Sequence, residues 1–222
     1  MEKLLNEEIT AQIKQIFGQI KEPVQILFFA SKDQCDLCND TRLLLDEVVA
    51  LDTRLGISIY DLQDDADVAR KFNVDRAPGI VIAAQNGGQI MDFGIQYSGI
   101  PSGHEFSTLI NDILLVSGRD SGLSQQAREF LQKLDKPVHF QVFVTPTCPY
   151  CPQAVILAHR MAMENPAMIR AEGVEATEFP ALANQFGVSG VPQTTINAGA
   201  GTVIGAVPEQ NLLAELMRAM AN

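Results

Sequence analysis

The chain repeats itself, and the repeat limits the possible fold more than any other feature. Pro23 and Pro137 stand 114 positions apart, Cys35 and Cys148 stand 113 apart, and Pro78 and Pro192 are again 114 apart. Phe72, Val74 and Pro78 recur in one register as Phe186, Val188 and Pro192. The one-residue slip around the cysteines belongs in a loop. Self-similarity at a fixed period makes each period one structural unit. In a chain of 222 residues this gives two units of about 110 residues, a common domain size. The run Ser117-Gly118-Arg119-Asp120-Ser121-Gly122 has the composition of a connector. The units are therefore read as 1–118 and 119–222.

Within each unit the hydrophobic pattern switches between helical and strand periods. Residues 6–20 space Ile9, Ile13, Ile16 and Phe17 along one helix face behind Asn6, a good N-cap. Residues 24–30 are apolar almost throughout, which predicts a strand buried on both faces. A helix over 39–50, a strand over 57–61 and an acidic helix over 64–72 follow. Residues 80–84 read as a strand turning at Asn86-Gly87 into a returning strand over 89–93. The last helix of this half opens at 100–105, where Ser102 and Glu105 have capping-box spacing. The second half repeats the order: helix 124–134, an apolar strand ending at Val144, helix 151–163, strands 193–196 and 202–205, and a helix from Pro208 to 220.

The four cysteines form two Cys-x-x-Cys pairs, Cys35/Cys38 and Cys148/Cys151, with none left over. That is not the scattered framework of a disulfide-stapled secreted domain. The pattern means redox work or a metal. At the second pair, Val142-Phe143-Val144 runs into a Pro/Thr break and Cys148 then sits at a helix start. Pro152 fits the first turn, where its missing N–H costs nothing. Unpaired N–H groups and the helix dipole favour a thiolate at such a position. Zinc is the competing chemistry, since four thiolates are a common structural set. The 110 positions between Cys38 and Cys148 argue against it. His104, His139 and His159 form no local pair with a cysteine and read as structural or surface residues. A net charge of -11 and no apolar run of membrane-spanning length exclude nucleic acid and membrane as expected partners. The acidic start is unlike a signal peptide, so a cytoplasmic location is expected.

A strand running into Cys-x-x-Cys at a helix start, with X-Pro about forty residues later before a hairpin and a final helix, resembles the thioredoxin fold. Here it occurs twice. The whole chain resembles the protein disulfide oxidoreductases, a glutaredoxin-like family of archaea and bacteria. The most specific pieces are Cys148-Pro149-Tyr150-Cys151-Pro152, with the glutaredoxin-type dipeptide, and the run from Tyr97 through Ser98-Gly99-Ile100-Pro101-Ser102-Gly103-His104-Glu105 to Phe106, similar to a segment of the family's first unit. The resemblance implies an α/β fold of two tandem thioredoxin-like units, each a central mixed sheet flanked by helices. It implies that Pro78 and Pro192 are cis and lie against the cysteines, with the backbone of Ala77 and Val191 free to pair with an extended substrate. Proline suits this because cis costs only about 0.5–1 kcal/mol before it.

In the chemistry that follows, Cys148 attacks a substrate disulfide and Cys151 resolves the mixed disulfide. Cys35/Cys38 is the second centre. Asp36, directly after Cys35, opposes a thiolate there, so Cys148 is expected to be the more acidic thiol and the second unit the main exchanger. Asp61 and Glu175 each lie 17 residues before a proline at a predicted strand end. They are candidate shuttles for the resolving thiol's proton, against a plain surface role. No bound cofactor is expected beyond the redox-active disulfides. Expected partners are protein disulfide or dithiol substrates and, by resemblance, a thioredoxin-reductase-like flavoprotein. An alternative is an electron relay to a peroxiredoxin, like the tandem domain of alkyl hydroperoxide reductase flavoproteins; that domain keeps one Cys-x-x-Cys, and two intact pairs weigh against it. A zinc-binding or scaffold module is the non-enzyme alternative.

The chain departs from its relatives in places. It has no Trp, and Gln34 and Thr147 stand where thioredoxins carry one before the first cysteine. Gly190-Val191-Pro192 lacks the Thr, and residues 197–201 lack the Gly-Gly, with which glutaredoxins hold glutathione. Only 19% of residues are charged, without the Lys/Glu enrichment of hyperthermophiles. A reducing cytosol, and with it a reductase or relay direction, is the expected setting.

Overall fold

The computed structural model describes residues 3–33 and 35–221; Gln34, the position before Cys35, lies outside them. The first half supplies strands β1 (Val24–Ala30), β2 (Leu55–Asp61), β3 (Gly79–Asn86), β4 (Gln89–Met91) and β5 (Ile95–Ser98). The second supplies β6 (Val138–Val144), β7 (Ile169–Glu175), β8 (Gln193–Ile196) and β9 (Gly201–Ile204). They form one nine-stranded sheet in the order β2-β1-β3-β5-β7-β6-β8-β9, with β4 paired to β3. The helices are α1 (Glu7–Phe17), α2 (Cys38–Val49), α3 (Ala66–Lys71), α4 (Phe106–Gly118), α5 (Gln125–Leu131), α6 (Cys151–Glu164), α7 (Pro180–Gln185) and α8 (Glu209–Ala221).

The apolar runs explain the layers. In β1, Ile26 and Phe28 point into a large core that also holds Phe17, Leu45 and Ile113, while Leu27 and Phe29 pack on the other face with Ala69 and Phe72. In the second half, Phe140 and Val142 enter the same large core, and Phe143 meets Val174 and Ala183 opposite. A strand covered on both faces is a nearly continuous apolar run; the buried exceptions here are Gln25 of β1 and Gln141 of β6. Asn6 caps α1 as expected, its side chain accepting the Ile9 N–H at 2.8 Å.

Several local expectations are corrected. The hairpin turns at Gly87-Gly88, both with positive φ (55° and 87°), between the paired residues Asn86 and Gln89. Two consecutive positive-φ residues are what a primed two-residue turn requires. The return strand stops at Met91, where the Asp92 side chain accepts the Gly94 N–H at 2.8 Å and bends the chain away. The chain then forms β5, a strand the sequence reading lacked; it pairs antiparallel with β3 and parallel with β7, joining the two halves. Ser102 makes no side-chain cap; a 3-10 turn, Gly103–Glu105, leads into α4 instead. Pro208 lies before α8, its carbonyl accepting the Leu212 N–H at 3.3 Å. The 117–122 run is packed rather than free: Ser117 ends inside α4, with its hydroxyl accepting the N–H groups of Lys21 and Glu22. Arg160 of α6 donates to the carbonyls of Ser121 and Gly122.

Candidate active sites

The sheet topology decides where the cysteines go. β1 is antiparallel to β3, β3 to β5, and β5 is parallel to β7, which is parallel to β6. β1 and β6 therefore run the same way, and both deliver their cysteines to one edge of the sheet. The helices that follow, α2 and α6, pack into one core on one face. Four strand spacings of about 4.8 Å, roughly 19 Å in all, separate β1 from β6.

Both pairs are closed as disulfides, with Cα atoms 5.4 Å apart for Cys35–Cys38 and 5.5 Å for Cys148–Cys151. Cys148 sits in the turn before α6, its N–H donating to Thr145 O at 3.1 Å, and Cys151 begins the helix. Cys148 keeps 8% exposure and Cys151 none, so of the two only Cys148 touches the surface. Tyr150 between them is 65% exposed. At the first pair, Cys35 is half-buried and Cys38 is buried at the start of α2. Asp36 is exposed beside it, and Asp40 lies in the first turn of α2, whereas the first turn of α6 has no acid. Negative groups at a helix start oppose a thiolate there.

Ala77-Pro78 and Val191-Pro192 are both cis. Each proline is buried, with a half-buried residue before it. The Pro78 carbonyl accepts the Gly99 N–H at 2.8 Å and the Pro192 carbonyl accepts the Gly205 N–H at 2.7 Å, so the two loops are built alike. Of the strand-end acids, Asp61 is half-buried and accepts N–H groups from Gln63 at 2.9 Å, Asp64 at 3.1 Å and Lys32 at 3.2 Å. The Asp64 N–H foremost, then that of Gln63, holds its carboxyl below the usual range. Glu175 is buried and accepts from the Thr177 hydroxyl at 2.6 Å and the Glu178 N–H at 2.7 Å. Among the described residues no three His, Cys, Asp or Glu side chains gather as a metal-holding set, and no helix is long and apolar enough to cross a membrane.

One acid escaped the sequence reading. Glu105 is fully buried, accepts the Thr108 hydroxyl at 2.8 Å on one oxygen and has no partner for the other among the described residues. Its segment reaches across to the second unit: the His104 N–H donates to the Pro146 carbonyl at 2.9 Å, two residues before Cys148. Gly103 takes φ 58° against that same carbonyl, where a Cβ would collide. The 3-10 turn packs on α6. Burial pushes the Glu105 carboxyl up to about 7, the Thr108 bond opposing and the charge of Asp112 assisting. The signal in the sequence was the Gly103-His104-Glu105 run itself, read there as helix capping.

The thioredoxin domain model matches residues 138–218. Over nearly the whole length, the chain is similar to the crystal structure of a protein disulfide oxidoreductase from Aeropyrum pernix, with 30% identity, TM-score 0.86, and coverage of 96% of this chain and 93% of that one. The chain belongs to the protein disulfide oxidoreductase family. The same fold occurs in the alkyl hydroperoxide reductase protein AhpF of Enterococcus faecalis, with TM-score 0.85 at 24% identity over 96% of this chain and 99% of that one. The corresponding alkyl hydroperoxide reductase protein of Staphylococcus epidermidis is 31% identical over 163 residues, 73% of this chain. The chain spans 29% of that relative's length. The chain carries two thioredoxin-like units on one sheet, each with its own Cys-x-x-Cys.

Proposed function

We propose that the chain catalyses dithiol–disulfide exchange in protein substrates, with Cys148/Cys151 as the main centre and Cys35/Cys38 as the second. What supports this is the duplicated arrangement of a closed Cys-x-x-Cys at a helix start on one sheet edge. The Cys148 thiolate attacks a substrate disulfide, a new S–S bond forms, and the departing substrate sulfur takes a proton. Cys151 gives up its proton and attacks the Cys148 sulfur. The mixed disulfide breaks, and the second substrate thiol leaves with the protein oxidised by two electrons. Run backwards, the cycle oxidises dithiols. Glu105, with a free carboxyl oxygen and an acidity near neutrality, is the proposed acceptor of the Cys151 proton; Asp61 and Glu175 are the strand-end candidates. The backbone of Val191 and of Ala77 pairs with the substrate strand beside Pro192 and Pro78. A thioredoxin-reductase-like flavoprotein in the cytoplasm re-reduces the chain, with no bound cofactor beyond the disulfides.

A second reading is a relay passing electrons from a flavoprotein reductase to a peroxiredoxin. The similarity to the alkyl hydroperoxide reductase proteins favours it. The deciding experiment equilibrates the protein across glutathione buffers, quenches with acid, alkylates and reads each pair by mass spectrometry. Midpoints for both pairs between roughly -270 and -120 mV, where dithiol catalysts work, support two exchange centres. If only Cys148/Cys151 titrates, the first pair is structural and the relay reading gains; if neither does, the exchange function is wrong.

A further inference from the structure

The two cis-proline loops are built alike but set differently in the sheet. β3, which follows Pro78, lies between β1 and β5, with β7 beyond. β8, which follows Pro192, lies between β6 and β9, and β9 ends the sheet. Opposite Gly79 stands Ser98 of β5, which is buried; opposite Gln193 stands Ile204 of β9, which is 63% exposed. The repeat also puts Arg76 and Gly190 at one place, two residues before each proline. A Cβ on Gly190 would meet open space.

Arg76, by contrast, is held by the second unit. Its Nη1 donates to Glu172 Oε1 of β7 at 2.8 Å, and its guanidinium lies 5.8 Å from the ring of Phe179, just before α7. Asp75 takes Nη2 at 2.9 Å, and the Arg76 side chain keeps only 18% exposure. The same Glu172 oxygen accepts the Ser98 hydroxyl, and the next N–H, that of Gly99, donates to the Pro78 carbonyl at 2.8 Å. One buried carboxylate of the second unit thus grips the first unit's loop on both sides, through Arg76 before Ala77-Pro78 and Ser98 beside Gly79. Ala77 and Cys35 pack on the core that holds Cys38. A planar guanidinium fixes direction as well as charge, and a binding edge held in place beforehand costs less ordering when a partner arrives.

We propose that Glu172 and Arg76 are positioning residues for the first centre: they fix the backbone at Ala77, so that the second unit completes the surface on which a substrate strand pairs beside Cys35/Cys38. Gly190 has no side chain with which to form such a clamp at the second centre. The proposal rests on Cys35/Cys38 as an exchange centre whose substrate pairs with the Ala77 backbone.

The test mixes the reduced full chain with a disulfide and follows the loss of free thiols at one centre by acid quench and alkylation. Cys148→Ser/Cys151→Ser leaves the first centre to be read, and Cys35→Ser/Cys38→Ser the second. The probes are insulin, whose disulfides sit in a peptide backbone, and hydroxyethyl disulfide, which has no backbone to pair. At the first centre, Arg76→Gln is expected to raise the half-saturating insulin concentration about three- to tenfold, the weight of one backbone hydrogen bond. The limiting rate with insulin and the rate with hydroxyethyl disulfide are expected to hold. Arg76→Lys, which keeps the charge without the planar fork, is expected to raise the half-saturating concentration less. At the second centre neither substitution is expected to change it. A loss shared equally by both probes, or by both centres, is general loosening and overturns the proposal. So does a half-saturating concentration that Arg76→Gln leaves unmoved. A first centre that reacts with neither probe while Arg76 is in place removes the exchange reading of that centre and the proposal with it.

Discussion

Glu105 and Glu172 are both buried carboxyls, and their neighbours push them opposite ways. Glu172 of β7 would be raised by burial, but His139, Arg76 and Ser98 outweigh that and hold it at about 2. Arg76 Nη1 lies 2.8 Å from it and Gln141 donates from 3.3 Å. A depressed acid contributes stability that is present above its unfolded value and lost as pH falls through the folded one. Between 4.5 and 2 that is about 3 kcal/mol. Glu172→Gln is therefore expected to lose stability on the order of 3 kcal/mol at pH 7, shrinking towards nothing near pH 2. Glu105 is the reverse case. Its raised pKa leaves the fold more stable below pH 4.5 than above pH 7, by about 3 kcal/mol. Glu105→Gln should melt higher than wild type at pH 8 and converge with it below pH 4.5, while slowing exchange at Cys148/Cys151. Urea unfolding across pH checks both; a Glu105→Gln variant less stable than wild type at pH 8 would sink the assignment. The cysteines differ as well. With acids near Cys35 and none in the first turn of α6, thiolate absorbance near 240 nm should appear at lower pH in Cys35→Ser, which keeps Cys148, than in Cys148→Ser.

At the level of elements, the first unit's 3-10 turn braces the second unit's cysteine loop. Gly103→Ala places a Cβ against the Pro146 carbonyl at a positive φ, at a cost of about 1–3 kcal/mol. It is expected to slow thiol exchange at Cys148/Cys151 and to leave Cys35/Cys38 unchanged, as alkylation trapping of each pair would show. Equal slowing of both pairs would mean general destabilisation instead. This brace also marks where the sequence stopped being legible. Long strands such as β1 and β6 could be read because burial on both faces leaves most of their positions apolar, Gln25 and Gln141 being the buried exceptions. The cysteine pairs and Pro78/Pro192 could be read because their spacing repeats. β5 could not: four residues ending in Gln96, Tyr97 and Ser98 become a strand only because β3 and β7 hold them. Glu105 was hidden for the same reason, since nothing local separates a capping glutamate from one that the other unit buries.

For the whole molecule, the repeat suggests two modules, but the packing joins them. β5 pairs with β7 through Ile95↔Ala171 to Ser98↔Val174, and one core takes in Phe17, Ile113, Phe140 and Leu216 alike. Polar ties cross the junction too: Arg76 to Glu172, Ile100 N–H to Glu178 at 2.7 Å, and His159 to Asp112. Separating 1–118 from 119–222 would expose the β7 edge, strip Glu172 of Arg76 and Ser98, and leave His159 without Asp112. Losing one partner of a buried pair typically costs 3–5 kcal/mol, and a small domain has only about 5–15 kcal/mol in all. The halves are therefore expected to unfold together. Calorimetry should give one transition whose calorimetric and van't Hoff enthalpies agree, and a fragment of residues 119–222 should fail to give a cooperative melt or to reduce a disulfide substrate. Two resolved transitions, or an active fragment, would mean that the second unit folds alone. The brace from the first unit would then be dispensable for its chemistry.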